Sequence, residues 1–109
     1  MTDRSNGHGP SDLAAAVELA VAGLDDVERR EAESAVEFAR AGRVFAVVEG
    51  QSASYRLTPA VARAALGTPD TTPSQRGSDW VTFRPLTLDR FAVDRAIAWL
   101  ESAWRKAAT

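Results

Sequence analysis

The sequence predicts an α+β protein: a small antiparallel sheet of about four strands with helices gathered on one face, in the order α-β-β-β-α-β-α. Three observations lead there. Apolar residues recur at helical spacing near both ends of the chain, they alternate at a period of two in its middle, and Gly or Pro punctuates the segments at short intervals. Neighbouring strands joined by such short turns pair antiparallel.

The first helix starts at a Ser11 or Asp12 cap and runs to Gly23, with Leu13, Ala16, Val17, Ala20, Val21 and Leu24 on one face. The stretch 25–41, DDVERREAESAVEFARA, reads two ways. Its composition favours a helix, yet Val36 and Phe38 alternate around Glu37, and Ala41-Gly42 turns into the strand VFAVVE, so 34–49 also reads as a hairpin. From Gln51 to Leu57 the pattern alternates again, with Ala53, Tyr55 and Leu57 facing inward and Ser52, Ser54 and Arg56 outward. Thr58-Pro59 opens a short helix ending at Gly67, because proline at the first helical position lacks an N–H that would be unpaired anyway. Residues 67–79 have loop composition throughout. WVTFRPL is a strand with Val81 and Phe83 inward and Trp80, Thr82 and Arg84 outward; Pro85 ends it or marks an edge. The longest helix runs from Asp89 to about Ala108 on a stripe of Val93, Ile97, Leu100 and Trp104, widened by Ala92, Ala96, Trp99 and Ala103.

At 109 residues, 45% of them apolar and 26% charged, the chain holds one domain with a core of its own. Residues 1–10 read as a disordered tail and 11–109 as the single domain. No apolar run is long enough to span a membrane, and the first residues lack the apolar stretch of a secretion signal, so a cytoplasmic location without membrane contact is the expectation. Having no cysteine excludes disulfides, thiol chemistry and cysteine-bearing zinc sites. Of 13 basic residues all but Lys106 are arginine, and alanine fills 21 positions, a bias that GC-rich bacterial codon usage explains. Charge is divided along the chain: residues 1–38 carry nine acids against three arginines, and residues 39–109 carry ten basic groups against six acids. Such a split hints at an anionic partner, although the net charge of −2 argues against a dedicated, strongly basic nucleic-acid binder.

Catalytic equipment is missing from the pattern. The only histidine, His8, lies in the tail with no rigid neighbour to orient it, so no Ser-His pair can be assembled. The glycines form neither GxGxxG nor GxxxxGK[ST], which removes the phosphate-loop cofactors. The acidic run of Glu18, Asp25, Asp26, Glu28, Glu31 and Glu33 is broken by Arg29 and Arg30 and has no ligand spacing; it reads as a solvated, ion-paired surface, not a metal site. The expectation is a non-enzymatic protein with no cofactor and no metal.

Gly42-Arg43-Val44-Phe45-Ala46 resembles the G-K-x-F-A hairpin signature of the MmcQ/YjbR family. Similar too are the strand ending in Tyr55-Arg56-Leu57, the Pro-led helix to Leu66, Pro69, Trp80-Val81 opening the last strand, and an Asp-rich start to a long terminal helix. The resemblance covers roughly residues 33–106. Three positions depart from it: Glu33-Ser34-Ala35-Val36 stands where the family often has Trp-Gly-x-Pro, Arg43 replaces its lysine, and Ala103-Trp104 replaces its Ser-Tyr. It implies a frataxin-like α+β fold, selects the hairpin over the helix at 34–49, and carries the family's "double wing" DNA-binding label, an analogy drawn from fold.

The resulting candidate site is the sheet face without helices. Arg40, Arg43, Arg56, Arg76 and Arg84 are the expected phosphate contacts and Trp80 the stacking platform, with Ser54 and Thr82 adding hydroxyls. Five phosphate contacts imply a log–log salt slope of about −4.5 on duplex DNA. The alternative is a protein-interaction or homodimer module, suggested by three tryptophans of which Trp99 and Trp104 sit about 140° apart on one helix.

Overall fold

The computed structural model describes residues 12–109. Its elements are α1 (Leu13–Val21), β1 (Glu28–Glu31), β2 (Val36–Arg40), β3 (Arg43–Glu49), β4 (Ser52–Arg56), α2 (Pro59–Leu66), β5 (Thr71–Pro73), β6 (Trp80–Phe83) and α3 (Arg90–Ala107). The six strands form one antiparallel sheet in the order β1-β2-β3-β4-β6-β5. The predicted tail, with His8 and the alternative cap Ser11, lies outside the described residues.

The α+β class stands, with two more strands than expected and a correspondingly different order. Both additions are edge strands. β1, Glu-Arg-Arg-Glu, is exposed at every position and has no apolar alternation to announce it. It forms because β2 offers an unpaired edge, and its charges make the new edge a poor template for another chain. Arg29 ties it to α1, donating Nε and Nη2 to Glu18 at 2.7–3.0 Å, with Nη1 on Glu31 at 2.7 Å. β5 hides in the 67–79 segment, where Thr71, Thr72 and Pro73 pair with Phe83, Thr82 and Val81. β6 is consequently interior, and Pro85 marks its end, not an edge.

Where sequence chemistry is strong, the elements begin and end as expected. Asp12, Thr58 and Asp89 cap the three helices with side-chain oxygens that accept from Ala15, Val61 and Ala92 N–H. Val36–Arg40 and Arg43–Glu49 are the expected hairpin, joined by Ala41 and Gly42 at φ of 53° and 78°. Two left-handed residues in succession match the twist of the flanking strands. A register shift follows at once: Phe38 faces Ala46 and Ala39 faces Val44, which leaves Phe45 unpaired as a β-bulge.

One hydrophobic cluster joins α1, α2 and α3 to a single face of the sheet. The sheet supplies the bulk, with Phe38, Phe45, Tyr55 and Phe83 fully buried, while α3 buries Ala92, Ala96, Leu100, Ala103 and Ala107. The expected stripe of Val93 and Ile97 is turned to the edge and only half-buried. Small residues let α3 lie close to the sheet, and the large aromatic groups opposite fill the interior. No helix among the described residues is long and apolar enough to cross a membrane.

Tyr55 has 0% of its surface exposed, and its hydroxyl has no hydrogen-bond partner among the described residues. Burial pushes the phenol well above its ordinary pKa, so it stays neutral. An unpartnered buried hydroxyl costs about 1–3 kcal/mol. Tyr55→Phe is therefore expected to stabilise the fold, raising the thermal midpoint by several degrees, since about 1 kcal/mol moves a domain of this size by ~4–8 °C. A fall in the midpoint would show that the hydroxyl is satisfied after all.

Candidate nucleic-acid interface

Cross-strand register places side chains on one face or the other. Val48, Ala53 and Phe83 line up on the helix side; Glu37, Val47, Ser54, Thr82 and Thr72 line up on the open side. Arg56 and Trp80 are direct partners on that open face. Ser54 Oγ and Thr82 Oγ1 lie 2.9 Å apart. They floor a groove of about 320 Å³ whose walls are Glu49, Ser52, Ser74, Gln75 and Arg76. The segment following β5 thus folds across the sheet instead of standing away from it.

The six residues expected at the site divide into two sets. Arg40 and Arg43 point to the helix side. Arg40 stacks its guanidinium 3.9 Å from the Trp104 ring centroid and donates to the Trp104 carbonyl at 3.0 Å. Arg43 donates to the Ala107 carbonyl at 3.4 Å and reaches that of Thr109. Both arginines therefore serve the carbonyl end of α3, where helical C=O groups lack partners and the helix dipole favours cations. For Arg43 the bulge is the cause: uninterrupted alternation from Val48 would aim it at the open face, and the extra residue reverses its side.

Arg56, Arg76 and Trp80 remain together at the start of β6, whereas Arg84 follows Phe83 beyond the other end of that strand, about 13 Å along it from Trp80. Arg76 and Arg84 are exposed and have no ion-pair partner among the described residues. Arg76 lies 5.7 Å from the Trp80 ring centroid, within cation–π reach. Gly77 lies so close that a Cβ there would come within 3.2 Å of the Trp80 ring, so a side chain at 77 would disturb the platform. Arg56 is committed: its Nε donates to Asp79 Oδ2 at 3.0 Å, and Lys106 Nζ stands 3.7 Å from the same oxygen. The open face is also unequal in charge, with Glu28, Glu37 and Glu49 against Arg30 on β1–β3, and Arg56, Arg76 and Arg84 toward β4–β6. That arrangement is the chain's acid-to-base split laid across a sheet.

Asp79 was not foreseen, and nothing local in a loop of Ser, Gly and Asp distinguishes it; only the pairing of Arg56 with Trp80 brings it within reach. Ser52, by contrast, was on the outward parity already. Burial alone would raise the Asp79 carboxyl, but the hydrogen bond from Arg56, a backbone hydrogen bond and the charges of Arg56 and Lys106 outweigh it, and its pKa falls below the ordinary value. A carboxylate with a depressed folded-state pKa stabilises the fold above its unfolded value of about 3.9 and loses that contribution as pH falls through the folded value. The gap in thermal midpoint between the parent and Asp79→Asn should hence stay constant from about pH 5 to 8 and close below about pH 4. A gap that widened in acid would reverse the assignment.

Fold and face together define an α+β protein with helices on one side of an open antiparallel sheet and a mixed polar surface on the other. No family model matches the chain, and no curated protein does. Among solved structures it is similar to a protein from Pseudomonas syringae determined as a structural-genomics target, at 10% sequence identity and a TM-score of 0.55, over 76% of this chain and 88% of that one. A likeness at that identity establishes the shared architecture alone.

Proposed function

We propose that this chain is a non-enzymatic binding protein whose open sheet face takes single-stranded nucleic acid. The observation that carries the reading is a row of groups on the sheet face that no helix of the described residues covers: Trp80 with Arg76 beside it, the Ser54–Thr82 hydroxyl pair, and Arg84 beyond the far end of β6, with neither arginine ion-paired among the described residues. Phosphates draw guanidinium groups and hydroxyl donors, and an aromatic ring accepts a base without regard to sequence. The cation–π contact of Arg76 is weak enough to yield to a phosphate, which frees a face of Trp80 for stacking. The resemblance to the MmcQ/YjbR family favours the same class of partner but adds no residue.

With Arg40 and Arg43 engaged on α3 and Arg56 on Asp79, the expected electrostatics shrink. Two phosphate contacts give a log–log salt slope of about −1.4 on a single strand. The test is a titration with a mixed-sequence single-stranded oligonucleotide and its duplex, followed by tryptophan fluorescence at about 50 and 200 mM salt. Saturable binding of the single strand, weaker for the duplex and with the shallow slope, supports the proposal. Absence of binding at the lower salt overturns it and leaves the protein-interaction module as the reading.

A further inference from the structure

On the helix side, away from that face, α2 and α3 run beside a groove of about 410 Å³. Its walls are Ala60, Val61 and Ala64 on α2 and Trp99 on α3, and among the described residues the only charge lining it is Arg95. The volume falls within the ~300–1,000 Å³ typical of small-molecule sites. Trp99 rests edge-on against Phe83 at 5.1 Å and tilts over Tyr55 at 6.2 Å between ring centroids. The core thus fixes its orientation, and its remaining surface lines the groove. Phe91, one turn before Arg95 on the same side of α3, is 69% exposed and extends the apolar strip beyond the groove.

Arg95 is the unusual member. Its guanidinium carbon sits 5.4 Å from the Phe83 ring centroid, and its Nε is shut off from solvent with no hydrogen-bond partner among the described residues. No carboxylate of the described residues pairs with it. Its helical neighbours at three and four residues are Phe91, Ala92, Ala98 and Trp99, none of them acidic. The α2 wall is uncharged as well. A half-desolvated cation without a counter-charge is costly, and a bound anion would relieve it. The geometry of that anion follows from the donors. One planar fork matches one carboxylate. A phosphate dianion would keep one charge uncompensated beside a single guanidinium, and the Thr68 hydroxyl, bonded to the Ala65 carbonyl and Thr71, adds no free donor.

We infer that the α2–α3 groove binds an apolar carboxylate, with Arg95 pairing the head group and Val61, Ala64 and Trp99 receiving an alkyl chain. The occupant is a free medium-chain alkyl carboxylate, for which decanoate is the probe. The site is independent of the open sheet face, so either proposal can fail without the other.

Amide and indole N–H shifts on the full chain provide the test, with decanoate, decanol and a decyl-ammonium salt as parallel titrants below their micelle concentrations. Decanoate should shift the Trp99 indole and the α2 amides saturably. Decanol should bind about tenfold more weakly or worse, the effect of one charged hydrogen bond, and the ammonium weaker still. Arg95→Gln should erase the preference for decanoate over decanol, and Ala64→Phe, filling the groove from an exposed helix position, should abolish binding of both; peak dispersion reports whether each variant is folded. Non-saturating shifts, equal affinity for decanoate and decanol, or indifference to either variant would overturn the assignment.

Discussion

Truncating Phe83 to alanine is expected to remove about 3–5 kcal/mol of stability, the range for emptying a fully buried aromatic site. The ring is 0% exposed and is held from two elements: Ala53 lies across from it on β4, while on α3 Trp99 stacks edge-to-face and the guanidinium of Arg95 covers it. Its cross-strand neighbour Ala53 has no torsion with which to swing a methyl group into the void. A domain with about 5–15 kcal/mol in total would be left marginal. Urea unfolding with an unchanged m-value should show it, alongside a much smaller loss for Val93→Ala on the half-buried edge of α3. A loss below about 1.5 kcal/mol for Phe83→Ala would mean that α3 and the sheet collapse together, contrary to the close alanine packing.

Trp80→Ala should weaken single-stranded nucleic acid by about 1–3 kcal/mol, or roughly 5- to 150-fold, the usual worth of one base–aromatic stack. Its salt slope should not change, because no charge is removed. The double variant Arg76→Ala/Arg84→Ala should do the opposite, flattening the slope by about 1.4 while a stacked base still quenches Trp80 fluorescence. The two signatures separate stacking from phosphate contact on neighbouring residues. Arg40→Ala and Arg43→Ala should leave both readouts alone, since their guanidinium groups sit on α3 carbonyls. Equal losses at Arg40 and at Arg84 would show that the platform extends over the hairpin turn and would refute the division drawn here.

Signals carried by local chemistry were legible in the residue order. Thr58-Pro59 and Gly67 bracket α2, Asp89 starts α3, and Ala41-Gly42 makes the hairpin turn. The outward parity of Ser54, Arg56, Trp80 and Thr82 follows from the period of two, because alternate side chains on a strand have no other choice. Glu28–Glu31 was a different matter: its charges suit a helix better than a strand, and it became an edge only because β2 left hydrogen-bonding groups unpaired. Thr71–Pro73 likewise gained its strand from β6 and not from its own preferences.

The candidate site divides along the same line. By itself, the sequence determined which residues alternate, which cap helices and which turn the chain, since those depend on a residue and its near neighbours. Tertiary structure alone decided that one unpaired residue at Phe45 would carry Arg43 to the helix side, that Asp79 would meet both Arg56 and Lys106, and that Arg95 would lie over Phe83 with no counter-charge among the described residues. Each of these is a meeting of groups distant in the chain. Register, bulges and helix rotation set such meetings, and all three settle only when the whole core packs at once.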